Sequence, residues 1–134
     1  MILSHVMSAV KYLQKNGMVH RNIRPETILF ESESALSDIK LVDLISVIDI
    51  ANISEDDPYF DMIITSDPYY RAPELIFSKK YYDEKVDIWS CGAILYNMIT
   101  GIPPYFEVDD ETTVEKIKSG VLSCTYPNYE ATSS

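Results

Sequence analysis

The residues whose types and spacing could together do chemistry are most concentrated between His20 and Thr27. His20, Arg21, Asn22, Arg24, Glu26 and Thr27 put an imidazole, two guanidiniums, an amide, a carboxylate and a hydroxyl on one short stretch. Guanidiniums present planar forks of donors suited to anions. A lone histidine in apolar surroundings is more often a core residue than a ligand. Asn22 carries a neutral amide with nothing like the basicity of a carboxylate, so it offers no general-base help. Two acids stand apart from the rest. Asp43 follows the β-rich run Ile39-Lys40-Leu41-Val42, where a side chain ordinarily meets water. Asp87 heads an apolar helix, whose start favours negative charge. The cysteines, Cys91 and Cys124, lie far apart with no metal-type spacing, and no D-x-D-x-D-G calcium loop occurs.

The elements that must position these residues are legible in part. Ile2, Val6, Ala9, Val10 and Leu13 fall at helical spacing and predict a first helix stopped at Asn16-Gly17. Nothing resembling a helix start precedes Ile2, so the chain is expected to begin inside a helix. Thr27 to Phe30 and Ile39 to Val42 read as two strands of a hairpin, joined by the polar stretch Glu31 to Asp38. From Asp43 to Glu74 no period is sustained apart from the apolar patch Leu44 to Ala51, and a stretch this long is usually functional or disordered. Lys85 to Thr100 is apolar on nearly every face and predicts a buried central helix, ended by Gly101 and Pro103-Pro104. A last amphipathic helix is expected over Asp109 to Lys118, acidic at its start and basic at its end. The tail to Ser134 is polar and expected to fray.

Composition bounds the function classes. The 134 residues are 46% hydrophobic and 24% charged, enough for a core and against wholesale disorder. Eleven Lys and Arg face 21 Asp and Glu, giving a formal charge of −10. Such a surface repels nucleic acid and anionic lipid. Apolar runs are broken well before the roughly 18 residues of a membrane span, and no signal peptide is visible. Cys91 reads as a small core hydrophobe. The setting expected is reduced and intracellular, hence cytoplasmic.

The string Gly17-Met18-Val19-His20-Arg21-Asn22-Ile23-Arg24-Pro25-Glu26-Thr27-Ile28-Leu29-Phe30 resembles the catalytic loop of a eukaryotic protein kinase, whose pattern is H-R-D-L-K-P-E-N. IKLVDLI, from Ile39 to Ile45, stands where the family has a strand ending in D-F-G. Ala72-Pro73-Glu74 matches A-P-E, and Asp87-Ile88-Trp89-Ser90-Cys91-Gly92 matches the start of the family's central helix. The motifs occur in family order. YDEKVDIWSCGAILYNMITGIPPY resembles the calcium/calmodulin-dependent and calcium-dependent kinase group. The resemblance implies a mainly α member of an α+β family: a truncated C-lobe with a small β-hairpin and a buried central helix, spanning residues 1–134. The glycine-rich loop, the V-A-I-K lysine and the partner glutamate helix of the N-lobe are not among these residues, nor are the last C-lobe helices.

By the same resemblance each site residue has an expected role. Asn22 stands at the catalytic aspartate, with the loss of a term worth about 10²- to 10⁴-fold. Arg24 stands at the catalytic-loop lysine, keeping charge but changing shape. Thr27 stands at the asparagine that holds a second magnesium and is a poorer ligand. Asp43 keeps the metal-binding carboxylate, Leu44 keeps an apolar packing group, and Ile45 replaces a glycine with a residue that resists unusual dihedrals. Leu29 stands at the floor of the adenine site, with Ile94 and Met98 continuing the stack, ordinary core packing being the alternative. His20 packs in the core. Asp87 holds the loop backbone, or else is a solvated helix-start acid. Glu74 lacks the arginine it pairs with in the family. Arg21 answers a phosphate on the activation segment, for which Ser54, Thr65 and Ser66 are candidates. The Glu55-Asp56-Asp57 run either occupies Arg21 instead or faces water. Asp67 replaces the threonine of G-T-P-Y-Y-R, and with Arg24 it could form a bidentate lock over the substrate position; independent drift after loss of activity is the alternative.

Three functions follow. The first is a catalytically impaired pseudokinase acting by binding or regulation. The second is a fragment of an active ATP-dependent serine/threonine kinase. The third is an incomplete domain. ATP and Mg²⁺ are the cofactors implied, bound weakly or not at all. A central helix with one flank bare would call for a protein partner, dimerisation or marginal stability.

Overall fold

The computed structural model describes residues 2–33, 38–57, 59–60, 68–78 and 80–122. It is mainly helical. Helix α1 spans Ile2–Lys15, α2 Pro73–Phe77, α3 Lys85–Thr100 and α4 Asp110–Ser119. Two antiparallel two-stranded ribbons accompany them. Strand β1 (Met18–Val19) pairs with β4 (Ile48–Asp49), and β2 (Ile28–Phe30) pairs with β3 (Ile39–Leu41).

The helices form for the reasons their sequences give. The stripe predicted for α1 puts Val6 and Val10 fully in the core. Gly17 then turns the chain with φ at 69°, a conformation glycine enters at no steric cost. Gly101 ends α3 in the same way, its N–H donating to the Asn97 carbonyl at 2.8 Å. In α4 the Asp109 carboxylate caps the start by accepting from the Thr112 N–H at 2.8 Å.

The hairpin runs in the register Ile28↔Leu41, Leu29↔Lys40, Phe30↔Ile39. The sequence did not announce the second ribbon: β4 lies within the apolar patch Leu44 to Ala51, and β1 directly follows Gly17. Its strands are two residues each, too short for any period to show, and they pair residues about thirty positions apart, Met18 with Asp49 and Val19 with Ile48. The Ile50 N–H donating to the Gly17 carbonyl at 2.8 Å continues the pairing.

The core has two clusters. Val6, Val10, Ile23, Ile28, Tyr70, Cys91, Ala93 and Ile94 make one. Val19, Phe60, Ala72, Leu75 and Val86 make the other. Helix α3 contributes to both. It is not buried all round, however. Ile88, Leu95, Met98 and Ile99 are exposed, Ile99 to 68%. Its inner face packs against α1 and the loop, and the apolar outer face has no covering element among the described residues. Along the expected stack, Ile94 is buried at 4% exposure while Met98, one turn on, is exposed to 53%.

Truncating Val10→Ala removes buried methyls from a site with no exposure and should lower unfolding free energy by about 2 kcal/mol in urea titrations. Lys11→Ala, on the open face of α1, should change it by less than about 0.5 kcal/mol.

Candidate active site

The loop from His20 to Thr27 connects β1 to β2 and is pinned from below by α3. Asp87, in the first turn of α3, is fully buried. Its Oδ2 accepts the His20 N–H at 2.8 Å and its Oδ1 accepts the Arg21 N–H at 2.9 Å. Two consecutive amides are thereby fixed, and Arg21 is held at φ 70°, a region sparse for any side chain but glycine. The solvated-acid alternative for Asp87 does not apply. Burial raises its carboxyl to about 6, against the lowering effect of the two amides and the Arg21 charge.

Arg21 turns its guanidinium into the protein. Nε donates to the Ser46 carbonyl at 2.7 Å, and Nη1 donates to the Tyr82 hydroxyl at 3.0 Å and to the Asp57 carboxylate. The side chains of this ion pair are 1% and 3% exposed. Of the acidic run, Asp57 occupies Arg21 while Glu55 and Asp56 are exposed. The other Asp57 oxygen accepts the Tyr59 N–H at 3.0 Å. Burial raises the Tyr82 hydroxyl pKa, so it stays protonated beside its arginine. Nothing in the sequence singled out Tyr82 or Ser46, because an arginine's reach into three segments has no local pattern.

His20 is in the core, but its ring is hydrogen bonded and not merely packed. Nε2 lies 2.9 Å from the Val42 carbonyl, which can only accept, so the ring proton sits there. Nδ1 then accepts the Asn22 N–H at 3.3 Å. Burial lowers the imidazole pKa, consistent with this neutral form.

Asn22 and Asp43 meet. The Asn22 amide Nδ2 donates to Asp43 Oδ2 at 2.6 Å. Asp43 sits in the left-handed region, φ 67° and ψ 49°, and begins a 3-10 turn over Leu44–Ser46. The strained backbone is therefore at Asp43. Ile45, expected to resist an unusual dihedral, has no positive φ and fits the turn. Ser46 closes the turn, its Oγ donating to the Asp43 carbonyl at 2.8 Å. Thr27 is 3% exposed. Its hydroxyl accepts the Arg24 N–H at 3.1 Å and lies 2.9 Å from the Arg24 carbonyl and 3.2 Å from that of Asn22. It braces the loop.

The remaining residues are more dispersed. Arg24 Nε stands 3.8 Å from Glu26 Oε2. Glu74 opens α2, half-buried, with no ion pair among the described residues. Leu29 is 51% exposed and Phe30 50%, so core packing is not the role of Leu29. Thr65, Ser66 and Asp67 lie outside the described residues, and with them the Arg24–Asp67 lock.

A divalent cation does not fit these donors. One Asp43 oxygen already accepts a close N–H, the Thr27 hydroxyl is spent on backbone, and among the described residues no three His, Cys, Asp or Glu side chains gather as a metal site. Nor is any described helix long and apolar enough to cross a membrane.

A loop hung from a helix-start aspartate, with an arginine reaching the segment after an Asp-led turn, is a kinase-type arrangement. The family model "Protein kinase domain" matches residues 1–133, and the chain belongs to the protein kinase family. It is 37% identical over 128 residues to the SNF1-related protein kinase catalytic subunit alpha KIN12 of Arabidopsis thaliana. It is 33% identical over 132 residues to calcium-dependent protein kinase 4 of Plasmodium berghei, and 30% over 128 to the calcium/calmodulin-dependent protein kinase type II alpha chain of Drosophila melanogaster. Each match covers 96% of this chain but only 23–24% of the relative, so the chain spans about a quarter of their length. The fold is accordingly a partial kinase-like one.

Two buried titrations oppose each other here. Asp87 keeps a proton in the folded chain up to about pH 6, whereas unfolded it releases it near 3.8, so its contribution to stability falls as pH rises through that window. His20 resists protonation when folded but accepts a proton near 6.5 when unfolded, so its contribution is complete above 6.5 and is lost as pH falls. In Asp87→Asn only the second remains. That variant should lose about 2–4 kcal/mol at neutral pH, one amide facing a donor. Its melting temperature should then fall more steeply than the parent's between about pH 7 and 5; parallel pH profiles would contradict this.

Proposed function

We propose that residues 1–134 are the C-lobe portion of a kinase domain whose phosphotransfer chemistry is lost, a pseudokinase that acts by binding or regulation. The observation that carries this reading is Asn22. Where the family's base would be, an amide donates a hydrogen bond to Asp43. A group that donates there cannot take a proton from a hydroxyl. The Thr27 hydroxyl, committed to the loop backbone, supports the same reading. ATP with Mg²⁺ is the family's cofactor pair, and its binding to this chain is proposed to be weak or absent. The proposed setting is the cytoplasm, in keeping with Cys91, a free thiol that burial raises to about 11 and so keeps inert.

The second reading is a piece of an active kinase. It draws on the relatives, all of which carry protein kinase in their names. Thermal melts with and without Mg²⁺ and ATP separate the two. A cooperative melt without a nucleotide shift is expected. A magnesium-dependent upward shift would favour the active piece, through mass action on the folded state. Absence of any cooperative melt would favour an incomplete domain. Neither the chain nor its Asn22→Asp variant should transfer labelled phosphate from ATP to a protein substrate above the rate without enzyme, and transfer by either would overturn the proposal.

Binding is proposed to use the outer face of α3. Ile88, Gly92, Leu95 and Ile99 follow one another at helical spacing and are all exposed. A second copy of the chain is the proposed occupant, because an exposed stripe that is apolar and uncharged is complementary to itself, although the net charge of −10 on each copy opposes the association. Sedimentation should show self-association that Ile99→Lys abolishes. A monodisperse parent monomer with a sharp, reversible melt would rule it out.

A further inference from the structure

We propose that the Asn22 amide occupies the place of a divalent cation on Asp43, so that the Leu44–Ser46 turn is clamped to the loop without metal. The inference rests on the kinase-type reading of the site, and it follows from the misfit of its donors to a cation. Asp43 has two costs to offset. Its backbone is left-handed, a region more open to aspartate than to most residues but still less favourable than the right-handed one. Its carboxylate is also drawn partly out of water. A cation would answer both, since hard cations take carboxylate oxygens at about 2.0–2.6 Å and fix their direction. In this chain a partial positive charge, the amide hydrogen of Asn22, does so instead across 2.6 Å. The backbone of Asn22, from which that side chain extends, is itself held. The Asn22 N–H donates to His20 Nδ1, and the Asn22 carbonyl lies within reach of the Thr27 hydroxyl. On the Asp43 side, Ser46 Oγ holds the backbone carbonyl. The clamp therefore closes between groups that the surrounding backbone hydrogen bonds already position, and no cation is needed to complete it.

The same geometry states what the amide prevents. With a carboxylate at position 22, two like charges would face each other at hydrogen-bond distance. One would have to take up a proton, move away or share a cation. The proposal thus predicts that one substitution converts a metal-independent site into a metal-responsive one.

The test uses the whole chain and Mg²⁺ alone, without nucleotide, at matched ionic strength. In EDTA, Asn22→Asp should melt below the parent. Added Mg²⁺ should raise the variant by at least about 2–4 °C while leaving the parent unmoved. Calorimetric titration should show Mg²⁺ binding to Asn22→Asp and none to the parent at the same concentrations. Asp43→Asn retains an acceptor for the amide and should remain indifferent to Mg²⁺. Should Asn22→Asp fail to fold, Asn22→Ala serves: it should melt below the parent in EDTA, because it removes the clamp without adding charge. A parent that binds Mg²⁺ as the variant does would overturn the proposal, as would an Asn22→Ala variant as stable as the parent. Because no nucleotide enters, those results would leave the phosphotransfer reading standing.

Discussion

The site depends on one buried carboxylate. Asp87 accepts the amides of His20 and Arg21, and both residues then point where they do because their backbones cannot move. The left-handed turn at Arg21 costs about 1–3 kcal/mol. It is tolerated because the amide that creates it is bonded to a charged acceptor, a class of hydrogen bond stronger than the neutral kind. From there the Arg21 guanidinium joins Ser46, Asp57 and Tyr82, three segments distant in the chain. A buried pair such as Arg21–Asp57 adds little net stability, since both ions leave water. Removing either partner would cost about 3–5 kcal/mol, because the other would stay buried and unmatched. The pair therefore specifies where the segment after the turn lies more than it strengthens the fold.

Around this anchor the polar side chains of the loop bond to one another and to neighbouring segments. Asn22 donates to Asp43, Thr27 holds the loop to itself, and Asp57 supplies Arg21 with its anion. These side chains find partners within the protein, so their hydrogen-bonding capacity is turned inward.

Helix α3 links the site to the rest of the molecule. Its first turn carries Asp87, its inner face carries Val86, Ser90, Cys91 and Ile94, and Ser90 Oγ reaches the Tyr70 carbonyl at 2.8 Å. Its outer face is apolar and exposed among the described residues.

The sequence by itself determined helices α1, α3 and α4 and the hairpin, because periodicity, glycine stops and β-branched runs act over a few residues, whereas the five-residue α2 is too short to show a period. It determined the family too, since motifs in order along the chain need no geometry to be read. It could not show the β1–β4 ribbon, whose strands are too short to carry a pattern. The apolarity of α3 gave no sign of which flank would stay bare. Left-handed backbone was legible where glycine marks a helix end, as at Gly17, but not at Arg21 or Asp43, where tertiary hydrogen bonds hold a residue with a side chain in that region. The partners of the polar groups were decided by tertiary structure alone. Asp57 and Tyr82 reach Arg21, and Asn22 reaches Asp43, across 21 to 61 residues of chain. A hydrogen bond acts over about 3 Å and carries no memory of sequence separation, so only the folded backbone says which donor meets which acceptor.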